Sequence, residues 1–163
     1  MPSLTERIDS DLKSAMKASA VQPAMQSAMQ SSAKLRVSVL RMAKAALKNR
    51  LIDKRAPLTE DEELAVLSTL SKQRRESIEQ FRKAGREDLA KQEEDELAII
   101  HAYLPEQMGA EELDGLILEA IKESGAKGAS EMGKVMRLLM PKVKGKADGK
   151  AVNERVKILL EKT

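Results

Sequence analysis

The stretch that decides the fold is TEDEELAVLSTLSKQRRESIEQFRKAGREDLAKQEEDELAIIHAYLP, residues 59–105. Its apolar residues recur every three or four positions on both sides of Gly85, which is the spacing of one face of an α-helix. Thr59 and Glu62 have the spacing of a capping box, in which each side chain accepts a hydrogen bond from the other residue's backbone N–H. Gly85 suits the left-handed conformation that ends many helices, and Pro105 cannot continue one. The stretch therefore predicts helices of about 25 and 18 residues in a long antiparallel hairpin joined at Gly85.

The composition also favours helices. Phe81 and Tyr103 are the only aromatic residues, so Leu, Ile, Val, Ala and Met must fill the core. No segment has the strict alternation of apolar and polar residues that is typical of a half-buried strand. With 163 residues, of which 42% are hydrophobic and 34% charged, the chain can form one domain or two small ones. We therefore expect an all-α protein.

The sequence before the hairpin begins with a predicted helix and an uncharged connection. Ser3 and Glu6 have capping-box spacing, and apolar residues follow them at helical intervals to residue 17. Residues 18–33, ASAVQPAMQSAMQSSA, have no charge and contain Pro23, so we interpret them as a low-complexity linker or insertion. A short helix after Pro23 is the alternative, because Ala, Gln and Met favour helix.

The periodicity of residues 34–52 predicts a second helix, and residues 34–55 are strongly basic. Eight Lys and Arg residues stand against Asp53 alone, which gives a net charge of +7. One interpretation is a surface face whose charges pair with acidic neighbours, since the next helix begins with an acidic run. The other interpretation is a contact with an anion or a nucleic acid. The sequence leaves both open.

Beyond the hairpin the helices become short, and residues 105–109 are the best candidate for a hinge. We expect an N-terminal helical domain over residues 1–106 and a small C-terminal three-helix bundle over residues 107–163. The first of its helices covers residues 110–124 and stops at Gly125. The second and third are predicted to start at the caps Ser130 and Asp148, with Pro141 ending the second. The apolar residues expected inside the second helix are Val135, Met136, Leu139 and Met140.

The strongest candidate for a functional site is residues 133–160, GKVMRLLMPKVKGKADGKAVNERVKILL. Eight cations stand there against Asp148 and Glu154, a net charge of +6, and they span a helix end, a loop and a helix start. Gly145 and Gly149 allow close backbone approach, and the helix start exposes free N–H groups that suit phosphate. With so few aromatics, base stacking is disfavoured, so structured RNA is the better fit. A lysine-rich loop that faces only water is the alternative.

The residues that enzymes need are largely missing. The chain has no Cys and one histidine, His101, whose apolar neighbours favour a structural role. No phosphate loop, dinucleotide motif or nucleophile elbow is present. Lys72, Arg74 and Arg75 are expected to pair with Glu76 and Glu79 on the same helix. We therefore predict no catalytic residue, no metal site and no cofactor.

The sequence also indicates the cellular compartment in which we expect the protein. No apolar run approaches the roughly 18 residues of a membrane span, and the first residues lack the apolar core of a signal peptide. The absence of Cys fits a reducing compartment. We therefore expect a cytoplasmic protein without membrane contact.

Four motifs resemble the YqeY-like family. They are VLRMAKAALKN (39–49), KQRRESIEQFRKAGREDLAKQEEDELAII (72–100), YLPEQM (103–108) and GKVMRLLMPKVKGKADGKAVNERVK (133–157). That family is related to the tail domain of the B subunit of glutamyl-/aspartyl-tRNA amidotransferase and to an appended region of some glutaminyl-tRNA synthetases. The resemblance covers about residues 1–17 and 34–163.

The resemblance implies a helical N-terminal domain, a three-helix C-terminal module and a connection with tRNA. In the amidotransferase the tail contacts the tRNA body, and the amide transfer takes place in a separate domain that has no counterpart here. Residues 145–154 are the part most similar to that tail. The resemblance therefore places RNA contact on six side chains: Lys134, Arg137, Lys142, Lys144, Lys146 and Lys150.

Three functions follow as hypotheses. The first is a non-catalytic adaptor that binds tRNA or another structured RNA, with a protein of tRNA aminoacylation or amidation as a further partner. The second is a protein-interaction scaffold that uses the charged outer face of residues 59–104. The third, a carbon–nitrogen ligase activity with glutamine as amido donor, rests on the family label alone, because no nucleophile, metal motif or ATP motif is visible.

Overall fold

The computed structural model describes residues 1–20 and 27–162, with side chains described for 1–20 and 31–162. These residues form seven α-helices and one short 3-10 turn, without a strand among them, so the all-α prediction is confirmed. The helices are α1 (Leu4–Ala20), α2 (Ser27–Lys54), α3 (Glu60–Lys83), α4 (Glu87–His101), α5 (Ala110–Ser124), α6 (Met132–Val143) and α7 (Gly149–Glu161).

The chain divides into two compact units, Met1–Leu104 and Pro105–Thr163. We call them unit 1 and unit 2. The division lies two residues before the boundary that the sequence predicts after residue 106. Unit 1 contains α1 to α4, and unit 2 contains α5 to α7 and the 3-10 turn Ala129–Glu131.

In unit 1, α3 and α4 run antiparallel. Arg82 at the end of α3 pairs with Glu94, and Ser71, three turns earlier, contacts His101 at the end of α4. The capping box of Thr59 and Glu62 starts α3 as predicted. The chain reverses at Gly85, whose φ of 70° is in the left-handed region that glycine enters without strain.

The helices α1 and α2 pack against each other and close the core of unit 1. The largest fully buried side chains there are Ile8, Leu40, Leu47, Leu67 and Ile100. They come from all four helices at helical intervals, so each helix places one apolar stripe on a shared core.

A buried carboxylate fixes the start of α1. Glu63 of α3 is 5% exposed, and its Oε2 accepts the backbone N–H of Leu4 at 3.0 Å. Its Oε1 accepts the hydroxyl of Thr5 at 2.6 Å. The predicted capping box of Ser3 and Glu6 is also present, with distances of 2.8 and 3.2 Å. The first turn of α1 is thus held both locally and from α3.

The prediction of a linker over residues 18–33 is wrong at both ends. Residues 18–20 belong to α1, and residues 27–33 form the first two turns of α2. Residues 21–26, which include Pro23, lie outside the described residues. The physical reason is that Ala, Ser, Gln and Met are compatible with a helix even without charges, so residues at both ends of the uncharged segment are helical.

In unit 2, α5, α6 and α7 surround a second apolar core. Its fully buried members include Ile117 of α5, Val135 and Leu139 of α6, and Val152 and Val156 of α7. The predicted stop at Gly125 is confirmed, since φ is 68° there. The predicted cap is confirmed as well, because Asp148 accepts the backbone N–H of Ala151 at 3.3 Å.

The predictions for α6 need three corrections. Ser130 does not cap the helix, because it lies in the 3-10 turn before it, and Glu131 is the residue that precedes the first helical position. Pro141 does not end the helix, which continues to the buried Val143, because proline removes one N–H without preventing later residues from being helical. Met140 is 41% exposed rather than inside.

Candidate nucleic-acid interface

The six cations predicted to contact RNA all lie in unit 2, and all six are exposed. We call them the elbow surface. Lys134, Arg137 and Lys142 belong to α6, Lys144 and Lys146 to the turn after it, and Lys150 to the first turn of α7. A helix rises about 1.5 Å per residue, so the part on α6 extends over about 12 Å from residue 134 to residue 142.

The α6 part of the elbow surface is amphipathic. Val135, Leu139 and Val143 face the core, and Lys134 and Arg137 stand on the outer side of the helix, three residues apart. Lys134 is partly neutralised, because its Nζ lies 2.8 Å from Oε1 of Glu131. That contact, with the hydrogen bond that Glu131 accepts from the backbone of Lys127, keeps the pKa of Glu131 below its usual range.

The turn that bears Lys144 and Lys146 is held in place. Gly145 has a φ of 73°, and a Cβ at this residue would lie 3.7 Å from the ring of Pro105. The side-chain amide of Gln107 donates to the carbonyl of Gly145 at 2.9 Å, and the backbone N–H of Met108 donates to the carbonyl of Lys146 at 2.8 Å. The two lysines are therefore presented on a turn whose backbone hydrogen bonds fix its shape.

The start of α7 adds backbone donors next to these lysines. The side chain of Asp148 satisfies the N–H of Ala151, and its carbonyl accepts the N–H of Val152 at 2.9 Å. The N–H groups of Gly149 and Lys150 precede them in the first turn, where helices have free donors and a positive dipole end. Asp148 is also the single anion in this part of the surface, so it lowers the local positive charge.

The cations of residues 133–160 differ in whether the structure gives them an ionic partner. Arg155 forms a two-pronged ion pair with Asp114 of α5, at 2.6 Å from Nε and 2.5 Å from Nη2. The hydrogen bonds from Arg155 lower the pKa of Asp114, so the pair stays ionic at neutral pH. By contrast, Arg137, Lys142, Lys146 and Lys150 make no ion pair with any residue that the structure describes. Arg155 therefore holds α7 to α5, and the unpaired group points to solvent.

His101 and its neighbours form a packing cluster between α3 and α4. Its Nε2 lies 3.0 Å from the hydroxyl of Ser71, which is fully buried and also accepts Nη2 of Arg75 at 2.8 Å. Burial, followed by the charge of Arg75, lowers the pKa of His101. A fully buried hydroxyl has no room for a substrate, so the pair is consistent with a structural role.

The predicted ion pairs within α3 are wrong for Arg74. Its Nε lies 3.3 Å from Glu93 and 2.9 Å from Glu96, which are both on α4. Because the apolar stripe of α3 packs on the core, Arg74 lies on a side of α3 that faces α4. The carboxylates of Glu93 and Glu96 are within reach there. Burial raises the pKa of Glu93 although Arg74 opposes this. Spacing within one helix could not show that contact.

Two features are absent from the residues that the structure describes. No group of three or more His, Asp or Glu side chains in residues 1–20 and 31–162 could hold a metal ion. Within the described part of the chain, no helix is both long and apolar enough to cross a membrane.

The amino-acid sequence is similar to sequences of known proteins. A family model described as "Yqey-like protein" matches residues 18–160. Among curated proteins, the chain is similar to altered inheritance of mitochondria protein 41, mitochondrial, of Pyrenophora tritici-repentis (strain Pt-1C-BFP). The identity is 30% over 156 residues, which cover 92% of this chain and 77% of that relative.

Proposed function

Because the chain belongs to the YqeY-like family, we propose that it binds tRNA or another structured RNA through the elbow surface of unit 2. The proposal assigns the chain a binding role, with no catalytic step of its own. The further partner would be a protein that aminoacylates or amidates the bound tRNA. In this proposal the chain binds the RNA and the partner carries out the reaction.

One observation supports the proposal most directly: four cations of the elbow surface make no ion pair with the described residues. Arg137, Lys142, Lys146 and Lys150 have no ionic partner among the described residues, and the turn between α6 and α7 is held by Gln107. Ordering of the turn before binding lowers the entropy that binding must remove. Arg155, which lies in the same sequence segment, is not included because Asp114 already neutralises it.

The chemistry of this surface favours phosphate over bases. Lysine is a point charge with three donors, which neutralises phosphate and releases counterions without reading a sequence. The two free N–H groups at the start of α7 add donors of the kind that hold phosphate oxygens. The sole Phe and sole Tyr, Phe81 and Tyr103, lie in unit 1, so unit 2 has no aromatic side chain on which single-stranded bases could stack. A helical RNA backbone is the ligand that fits.

Residues 145–154 resemble the amidotransferase tail, so tRNA is the RNA to test first. A cytoplasmic location is also part of the proposal and rests on the absence of Cys. The printed name of the fungal relative assigns that protein to mitochondria. Cell fractionation with an antibody against this chain distinguishes the two locations.

The test is an electrophoretic shift assay with the full chain and tRNA over a range of salt concentrations. We expect binding whose affinity falls linearly on a logarithmic salt scale. The triple variant Lys142→Glu/Lys144→Glu/Lys146→Glu should lose roughly a hundredfold or more in affinity, because three contacts become three repulsions. Absent binding, or binding that is insensitive to salt, would contradict the proposal.

A matched control keeps the total charge change but leaves the elbow surface intact. Lys72→Glu/Lys83→Glu/Lys122→Glu changes three exposed lysines elsewhere on the chain by the same amount. Equal losses in the two triple variants would indicate only a response to net charge, and the elbow surface would then be the wrong site. Glutamine-dependent conversion of Glu-tRNA by the purified chain would add a catalytic role that the proposal excludes.

A further inference from the structure

Helix α2 has a straight row of cations on its outer side. Lys34, Arg41 and Lys48 are spaced seven residues apart, and Arg55 follows at the same interval directly after the helix. Seven residues are close to two full turns, so Lys34, Arg41 and Lys48 lie on one side of the helix. Arg55 follows them outside the helix, with a φ of 57°. We call these four residues the α2 stripe. From residue 34 to residue 48 the stripe extends over about 21 Å at 1.5 Å per residue.

Three of the four other cations of α2 are paired with carboxylates, and the stripe is not. Arg36 lies 3.6 Å from Asp11, Lys44 lies 2.7 Å from Asp9, and both carboxylates belong to α1. Lys54 lies 2.5 Å from Glu62 of α3. All four members of the stripe are exposed and make no ion pair with the residues that the structure describes. The tertiary structure therefore pairs Arg36, Lys44 and Lys54, while the stripe and Arg50 make no ion pair with the described residues.

The space between the cations limits what can bind there. Ser38 and Ala45 separate the members of the stripe, and both are small and exposed. A partner helix or a membrane needs a continuous apolar seam for its own apolar side chains. Among the side chains of α2 that the structure describes, Leu51 and Ile52, at the end of the helix, are the only large apolar ones that are exposed. The face therefore offers charge without much apolar area.

We propose that the α2 stripe is a second phosphate-binding surface, located in unit 1, which contacts the backbone of the same structured RNA. A nucleic-acid backbone is a continuous line of negative charge, and a straight row of unpaired cations neutralises several of its phosphates at once. Small residues between the cations let the backbone come close. The choice of RNA as the ligand rests on the proposed function. The assignment of this surface rests on the observation that the stripe makes no ion pair with the described residues.

The variant Arg41→Gln/Lys48→Gln, made in the full chain, tests the proposal with tRNA as the probe. Each lost phosphate contact reduces the slope of log affinity against log salt by roughly 0.7–0.9, so the pair should reduce it by about 1.4–1.8. The affinity at low salt should fall roughly tenfold or more. The opposite variant, Ala45→Lys, adds a cation between Arg41 and Lys48 and should strengthen binding and steepen the slope.

Two controls match these changes. Lys44→Gln removes a cation from the same helix that Asp9 already neutralises, so it should leave the slope nearly unchanged. Lys72→Gln/Lys83→Gln removes the same net charge from α3. Circular dichroism of each variant confirms that the helices are retained.

The outcomes separate this proposal from the proposed function. If Arg41→Gln/Lys48→Gln reduces the slope of log affinity against log salt, the stripe is supported, whether or not the elbow variants also weaken binding. If only the elbow variants weaken binding, the stripe is overturned and the proposed function stands. If wild type binds no RNA, both are overturned. Loss of binding to vesicles of anionic phospholipid, with unchanged tRNA binding, would identify the stripe as a lipid-binding surface and overturn its assignment to RNA.

Discussion

The carboxylate of Glu63 caps a helix that lies 59 residues away in the chain. Its Oε2 accepts the backbone N–H of Leu4 at 3.0 Å, and both side chains are buried. A buried carboxylate is costly unless its oxygens are hydrogen-bonded, and the hydroxyl of Thr5 satisfies the second oxygen. The contact joins the first turn of α1 to the first turn of α3, and it places negative charge at a helix start, where the dipole favours it.

We predict that Glu63→Ala destabilises the protein by about 1–3 kcal/mol, because it leaves the N–H of Leu4 buried without a partner. Glu63→Gln should cost less, since the amide oxygen can still accept one of the two hydrogen bonds. Urea denaturation followed by circular dichroism measures the difference. As a control, Glu60→Ala changes an exposed carboxylate in the same turn, and a loss as large as that of Glu63→Ala would contradict the capping role.

Tyr103 provides a pH-dependent measurement. Burial and the hydrogen bond to Asp11 raise its pKa to about 12. Its pKa in an unfolded chain is about 10, so the folded state holds the proton more tightly. The resulting stabilisation is complete below pH 10 and is lost as the pH rises toward about 12.

Because Tyr103 is the single tyrosine and the chain has no Trp, the absorbance of tyrosinate reports this residue alone. We expect titration well above the usual tyrosine range, and Asp11→Asn should shift it downward by removing the negative neighbour. Circular dichroism over the same pH range shows whether the fold is still present. An ordinary tyrosine pKa in the folded wild type would contradict the buried contact.

The ion pair of Asp114 and Arg155 predicts a loss of stability in acid. The pKa of Asp114 is lowered by its hydrogen bonds with Arg155, so the stabilisation is present above the usual aspartate pKa of about 3.9. It is lost as the pH falls through the lower pKa of the folded state. The Tm difference between wild type and Asp114→Asn should therefore be larger at pH 7 than at pH 2, which calorimetry measures. A difference that is independent of pH would show that the pair contributes little.

Gly115 within α5 and Gly125 directly after it should respond to the same substitution in opposite directions. Gly115 lies within the helix, and a Cβ there would meet no atom within 4 Å. Gly115→Ala should stabilise the protein by about 0.4–1 kcal/mol, because alanine has less freedom to lose on folding. Gly125→Ala should destabilise it by about 1–2 kcal/mol, because its φ of 68° is strained for any residue with a Cβ. Thermal denaturation of both variants compares them, and changes of the same sign would contradict this account.

Local patterns gave most of the elements correctly, because the groups that decide them lie within a few residues. The caps at Thr59 and Asp148 and the stops at Gly85 and Gly125 depend on hydrogen bonds or φ angles inside one or two turns. The wrong predictions also have local causes. Composition suggested a linker over residues 18–33, although the uncharged residues at its ends continue the two helices.

The candidate sites were less predictable, because a sequence shows which charges are present and not which are neutralised. Arg155 lies in a strongly basic segment of the chain, yet Asp114, 41 residues earlier, pairs with it. Arg74 pairs with carboxylates of α4 instead of those in its own helix. The seven-residue spacing of Lys34, Arg41 and Lys48 is visible in the sequence, but its meaning depends on which cations of α2 find partners on α1 and α3.

The sequence by itself determined the all-α class, the caps and stops, the apolar stripes and the excess of positive charge in two segments. These follow from helical periodicity and from contacts within a turn. Only the tertiary structure decided that Glu63 caps α1, that Arg155 is paired, and that the four residues of the α2 stripe are not. The reason is that neutralisation is a short-range effect between groups distant in sequence, so it exists only once the helices have packed.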